Sequence, residues 1–414
     1  MPNTIRAGML AAVLAMLLPS MQVSAADGEP GRVKLSGFGT LGFVGSSEDS
    51  ADYVAGQFRP TGAGYTNTWS HEVDSRLGAQ LTVAFSDRWT GIVQAMVEQR
   101  YDDSYEPVIE WANLRYALTP DFSVSVGRVV LPTFMVADTR KVSYANPWVR
   151  PPPELYSLSP MTSSDGVELR YRTRTGSWTH TTDVTVGQGY THISPGVTVE
   201  AGSQFGVYQT AEAGAWKLRA SYLSGELRLA ALDPLFDAFR MFGPAGADIA
   251  ERFAMDGDRG RIWTVGASYE PLDWFVMAEI GKVDTQSVIG ASTAGYISAG
   301  RRFGAITPYA TYARIYRNGP TTTPGLDLSS LPPDLAAVGA QLNAGLNAFM
   351  ATTAEQSTLS AGVRWDFRSN MAFKFQYDYI EVADGSNGMF TNLQPDHLRG
   401  ECADIISISL DFVF

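Results

Sequence analysis

The sequence predicts an all-β protein, a transmembrane antiparallel β-barrel of about sixteen strands, and three observations carry that prediction. From Val33 to Phe414 apolar and polar residues alternate with a period of two, in segments of roughly ten residues divided by turn signals. The polar face of these segments carries charges at mid-strand, while the apolar face gathers aromatics near segment ends: Trp89, Trp178, Trp216, Trp263, Trp274 and Trp365. The chain opens on an export signal yet holds a single cysteine, Cys402, so no intramolecular disulfide can staple it. A soluble sandwich also alternates. Charges on the inner face and aromatic belts at strand ends are what a lipid-spanning barrel needs, because only helices and closed barrels satisfy every backbone group in lipid.

Residues 1–25 read as a signal peptide. Arg6 supplies the positive start, Met9 to Leu18 the apolar core, and Val23-Ser24-Ala25 a small-x-small cleavage site. The apolar run is short of the about 20 residues a membrane helix needs, which disfavours a retained anchor. The barrel is then expected over 26–414. No later stretch is a candidate membrane helix: Leu335 to Met350 carries Gln341, Asn343 and Asn347 and comes after Pro332 and Pro333, so it reads as a loop helix. The formal charge of −12 disfavours nucleic acid as a partner.

The first strand poses its own question, since Gly37, Gly39 and Gly42 in "VKLSGFGTLG" spell G-x-G-x-x-G. A phosphate-binding turn requires a helix directly after it. The next residues instead form a Gly-, Ser-, Asp- and Pro-rich stretch without helical periodicity, so the glycines belong to a strand, where small residues mark curvature or close approach. Further strands are expected near Asp74, Trp89, Val108, Phe122, Val167, Trp178, Gln204, Trp216, Ile262, Trp274, Ala294, Pro308, Ser357, Met371 and Ile405. The last is the clearest: Ile406, Ile408, Leu410, Phe412 and Phe414 share one face, and Ile405, Ser407, Ser409, Asp411 and Val413 the other. Long loops are expected at 230–260 and 317–355, each with a helical apolar stripe that would pack against the barrel mouth.

In "VKLSGFGTLG", the block from Trp111 to Arg128, "SDGVELRYR", and the terminal "ISISLDFVF", the chain resembles the porins of the Gram-negative outer membrane. The resemblance covers the whole expected mature sequence. It implies a homotrimer of sixteen-stranded barrels in outer-membrane lipid, with short periplasmic turns, long outer loops and a third loop folded into the lumen. It also implies that Phe414 is an assembly signal read by the barrel-insertion machinery. The segment 129–164 stands in the place of that third loop, between the fifth and sixth expected strands. It is long and stiffened by Pro132, Pro147, Pro151, Pro152, Pro153 and Pro160. Loops of this length are functional or disordered, and Phe134, Tyr144, Trp148 and Tyr156 argue against disorder. The alternative is an outward loop that covers the mouth or latches a neighbour. The acidic tip of general porins is absent, replaced by "PWVRPPPELYSLSP", so their cation preference does not carry over.

Strand parity puts Arg76, Arg100, Arg115, Arg170 and Arg172 inside the expected barrel, with Arg128 at the end of the fifth strand as a further pore-lining cation. Opposite them the loop would present Asp138, Arg150, Glu154 and Asp165, giving a transverse field across the narrowest section. Inward charges that merely pair with each other are the alternative. Catalytic material is sparse: four histidines, no H-E-x-x-H, no G-x-S-x-G, and no partner for Cys402 at a metal site. No enzyme activity, metal or cofactor is expected. The expected function is passive diffusion of small hydrophilic solutes and ions. A substrate-specific channel for anionic or dipolar solutes, or a non-conducting adhesin or lipase barrel, remain open.

Overall fold

The computed structural model describes residues 32–414 apart from positions 57, 286 and 398. The expected signal peptide, 1–25, lies outside the described residues. Sixteen long strands form the wall: β1 (Arg32–Ser46), β2 (Arg76–Ala84), β3 (Trp89–Glu98), β4 (Val108–Thr119), β5 (Phe122–Val130), β6 (Ser163–Thr175), β7 (Trp178–Ser194) and β8 (Val197–Ala213). They continue as β9 (Trp216–Arg228), β10 (Asp256–Tyr269), β11 (Trp274–Asp284), β12 (Ser292–Arg301), β13 (Ile306–Arg317), β14 (Gln356–Arg368), β15 (Met371–Val382) and β16 (Cys402–Val413). Each pairs antiparallel with the next, and β16 pairs with β1 from Phe38 opposite Val413 to Ser46 opposite Ile405, which closes the barrel and leaves no edge. The barrel and its sixteen strands are those the alternation predicts.

The alternation decides which side chains meet lipid. Val93, Leu114, Val126, Leu169, Val186, Val265, Ile280 and Leu359 are exposed on the outer surface, while Thr40, Gln94, Ser125, Asp183, Ser298 and Asp411 are buried inside. At the end with the short turns, aromatic rings gather into a belt: Trp89 on Tyr116, Trp216 on Tyr269, Tyr269 on Trp274 and Trp365 on Phe367. Both described chain ends, Arg32 and Phe414, lie at that end, which is the periplasmic one by its short turns.

The first-strand glycines make room for the last aromatics. Gly37 and Phe414 exchange both backbone hydrogen bonds, at 2.9 Å each. A Cβ on Gly37 would lie 2.1 Å from the Phe414 ring, and one on Gly39 2.4 Å from the Phe412 ring. The rings of the closing strand therefore lie flat across the seam, over backbone that has no side chain to push them away. Close approach, not phosphate binding, is the use of this motif.

The outer end carries the long loops. Among the described residues four α-helices lie there or in the lumen: α1 (Pro153–Tyr156), α2 (Asp233–Arg240), α3 (Pro244–Phe253) and α4 (Pro333–Met350). Pro153, Pro244 and Pro333 occupy first helical positions, where the missing N–H costs nothing. Helices α2, α3 and α4 share a buried core of Phe236, Phe239, Phe253, Leu346 and Met350, against which Val197, Val199 and Leu227 of the barrel rim pack. The short strands Asp52–Tyr53, Ala63–Gly64 and Phe390–Thr391 form a small sheet over another part of the mouth.

Candidate functional site

Residues 131–162, the connection between β5 and β6, run inside the barrel. An irregular chain in that position must satisfy its backbone groups with side chains, and the wall supplies them. Arg219 on β9 donates to the Phe134 carbonyl at 2.6 Å and Thr264 on β10 to the Thr133 carbonyl at 2.7 Å. Glu279 on β11 accepts from the Met135 N–H at 2.9 Å. Arg364 on β14 donates to the carbonyls of Tyr144 and Asn146, and Lys374 on β15 to those of Ser143 and Trp148. The Trp148 indole donates to Ser298 at 2.8 Å and Thr311 at 3.0 Å. Around these bonds Phe134, Met135, Trp148, Leu155, Tyr156 and Leu158 form a buried core with Phe275, Met277, Tyr296 and Tyr309 of the wall. The loop therefore fills the lumen along β9 to β16.

Its strongest attachment is Arg150. The guanidinium donates to both oxygens of Asp74 at 2.5 and 2.9 Å, to Asp378 at 3.2 Å, to Ser407 at 2.6 Å and to the Tyr53 hydroxyl at 3.2 Å. Burial works against this charge, but the facing carboxylates outweigh it and hold the Arg150 pKa well above the ordinary arginine value. Glu154, four residues on, accepts from Gln356 at 2.8 Å and from Thr358, and its other oxygen is buried without a partner. Burial pushes its pKa up, against those two hydrogen bonds.

Along β2 to β7 the lumen stays open. A chamber of about 1590 Å³, counted with its mouth, lies between the loop and this wall. Arg59, Arg76, Arg100, Arg140 and Lys141 line it together with Glu98 and Glu110. Lys141 bridges Glu98 and Glu110 at 2.9 Å each, and Arg59 reaches Glu98 at 3.2 Å. Arg140 donates to the carbonyls of Tyr156 and Ser159 and enters no ion pair among the described residues. Burial lowers its pKa from the ordinary arginine value. Arg76 approaches Asp74 only to 4.0 Å, and Asp74 is already held by Arg150.

The residues expected from sequence fall into several groups. Arg76 lines the chamber, and Arg100 does so from beyond the end of β3, where it meets Glu106 at 3.4 Å. Arg115 and Arg170 sit lower in the barrel, Arg115 on Ser125 at 3.3 Å and Arg170 on Asp183 at 2.6 Å and Glu168 at 3.0 Å. Arg172 is exposed near the periplasmic end of β6. Asp138 stands on the loop within electrostatic reach of Arg170.

Two expectations about position do not hold. Asp165 is on β6, not the loop, and pairs with Arg128 at 2.7 Å. Arg128 shares the parity of the outward Val124 and Val126 and reaches over the Tyr190 ring, yet at this strand end the pair borders the chamber as well. Glu154 turns to β14 and away from the arginine wall. The loop is therefore not an acidic face set against an arginine wall: it presents Arg140, Lys141 and Arg150, of which Lys141 pairs with Glu98 and Glu110 of the wall and Arg150 with Asp74 just before β2. Sequence reading passed over Arg59, Glu98's partner Lys141, Glu110 and Arg140, although the adjacent cations of "DTRKVSY" were a visible signal.

One Ser–His–carboxylate contact exists among the described residues. Ser50 lies 2.9 Å from Nδ1 of His397 and donates to Glu48 at 2.6 Å. Glu48 therefore faces the hydroxyl and the same ring nitrogen, leaving no carboxylate on the far nitrogen to orient the ring as a base. This contact ties the loop 47–75 to the loop 383–401.

No family model matches the chain, and no curated protein sequence matches it. Solved structures do. OmpF of Salmonella typhi, in complex with daunomycin, is 14% identical with a TM-score of 0.55 over 93% of this chain and 98% of its own. The anion-selective porin from Comamonas acidovorans is 11% identical at 0.54, over 92% and 99%. The channel DcaP of Acinetobacter baumannii is 12% identical at 0.53, over 93% and 98%. The fold of this chain is that of these outer-membrane porins, and its outward apolar face and aromatic belt are those of a barrel that spans lipid.

Proposed function

We propose that this protein is a passive channel for small hydrophilic solutes and ions with a preference for anions. The observation that carries the reading is the inward loop. It is fastened along β9 to β16 and leaves an open chamber between itself and the opposite wall, where Arg59, Arg76, Arg100 and Arg128, with Arg140, Lys141 and Arg150 of the loop, outnumber the carboxylates of Glu98, Glu110 and Asp165. Rings of charge in such a passage set ion selectivity, and Arg76 and Arg140 have charge to spare because neither is closely paired. The protein acts without catalysis or cofactor. It assembles as a homotrimer in outer-membrane lipid, with Phe414 read by the insertion machinery during assembly. A related fold, OmpT of Vibrio cholerae, has a solved trimer form, and cross-linking in detergent tests the same state here.

The deciding experiment is single-channel recording of refolded protein in a planar bilayer under a salt gradient. Stable open steps with a reversal potential of anion-selective sign are expected, shifting toward zero in the double variant Arg76→Gln, Arg140→Gln. Folded protein that never opens would refute the channel. A cation-selective potential would refute the preference.

A further inference from the structure

We propose that the outer half of the lumen is a binding site for an amphipathic organic anion, a solute with an apolar body and a carboxylate-like head. The proposal rests on the channel reading and names the solute class for the same lumen. The inner face of a porin-fold wall is expected to be polar, and across β8 to β11 the outer half of this one is not. Val199, Leu223, Leu227, Ile262 and Val283 line the inside there, around about 1790 Å³ of space counted with its opening. Leu158 and Met161 of the inward loop contribute to the lining, as do Phe349 near the end of α4 and Met389 of the last loop. The protein's own side chains leave this apolar space open.

An apolar chamber holds a small hydrophilic solute poorly, since specific sites combine an apolar lining with a few placed polar groups. The polar groups here are next door. Phe58, Pro160, Met161 and Met389 line both this chamber and the charged one, so the two spaces share a border. Arg140, which has no carboxylate of its own, donates to Tyr156 and Ser159 at that border, and Arg76 lies on the charged side. A solute with its body against Leu223 and Ile262 and its anionic head toward Arg140 and Arg76 satisfies both halves at once. A purely polar anion satisfies one, and a neutral apolar molecule the other.

The test uses 4-phenylbutyrate on full-length folded protein, with acetate and 4-phenylbutan-1-ol as the head-only and body-only probes. Single-channel block in potassium chloride is read relative to each variant's own open level, and equilibrium dialysis in detergent measures binding independently of conduction. Phenylbutyrate is expected to block and to bind about tenfold or more tightly than either control, the scale on which pockets resolve such differences. Leu223→Asn and, separately, Ile262→Asn are expected to weaken phenylbutyrate about tenfold and leave acetate unaffected, and Arg140→Gln to bring phenylbutyrate down to the alcohol. Open channels that treat all three probes alike would overturn the site while leaving the channel standing. Equal binding of the alcohol would overturn the anionic half of the proposal. Saturable, Leu223-dependent dialysis binding by a protein that never conducts would support the site and remove the channel.

Discussion

Replacing Arg150 by methionine isolates what holds the loop in the lumen. The guanidinium is about 3% exposed and is shared between Asp74 and Asp378, whose side chains are 0% and 3% exposed. Methionine keeps the length and much of the volume but leaves two carboxylates near each other with no cation closer than Arg76, 4.0 Å from Asp74. Breaking a buried pair from one side costs about 3–5 kcal/mol, chiefly through the stranded charge. The strand ladder is untouched, so the barrel persists and the cost falls on loop docking. Single-channel records should show a noisier open state, and protease added from the outer side should cut between Val129 and Ser164 in the variant only. Adding Asp74→Asn and Asp378→Asn removes the stranded charges and should recover most of the docking. A single variant as quiet and protease-resistant as the parent would refute the reasoning. So would a triple variant no better than the single one, since the loss would then be packing rather than charge.

Gly37→Val should push the Phe414 ring off the seam, because the new Cβ would stand 2.1 Å from it. The expected readout is a lower temperature for the heat-induced gel shift, partly restored by Phe414→Ala in the same chain. Glu154 gives a pH dependence. Its pKa is raised in the docked loop, so the docked state binds the extra proton. Docking is thus at full strength below the ordinary carboxylate pKa and weakens as pH rises from there toward the raised value. Open-channel noise should grow with pH over that window in the parent and stay flat in Glu154→Gln, and a parent flat over the same range would contradict the assignment.

How much could be read beforehand depended on which interaction fixed each feature. Strand number and the inward or outward sense of each side chain follow from a local period of two, and so were legible at β16 as at β2. The Arg128–Asp165 pair was not: it sits at a strand end whose β-extent only pairing reveals, with Asp165 already in β6 opposite Arg128. The polarity of the narrow section was also hidden. It depends on which side of the loop faces which wall, a three-dimensional choice made by Trp148, Arg150 and the wall groups that receive them. The apolar inner face at Leu223 and Ile262 was concealed by the rule itself, because alternation counts a face as wet from its polar members and overlooks the exceptions.

The inward basic residues serve the loop backbone on one wall and the passage on the other. A loop laid against β9, β14 and β15 turns the carbonyls of Phe134, Tyr144, Asn146, Ser143 and Trp148 toward the wall. Only donors can satisfy carbonyls, and arginine and lysine reach across the gap from Arg219, Arg364 and Lys374. Lys374 and Arg364 are at the same time paired with Asp411 at 2.8 Å and Asp366 at 2.7 Å, so on this wall their charge is largely taken up. Arg219→Gln should therefore keep the loop docked and the reversal potential in place, since an amide still donates, whereas Arg219→Leu leaves the Phe134 carbonyl unsatisfied at about 1–3 kcal/mol and should add open-channel noise. Arg76 stands in the open passage and holds no carbonyl of the inward loop, so there the same Gln change should move the potential and leave the noise alone. A potential that moved as far with Arg219→Gln as with Arg76→Gln would show that both walls bound one aqueous path, and the division of the lumen into a fastened side and a conducting side would fail.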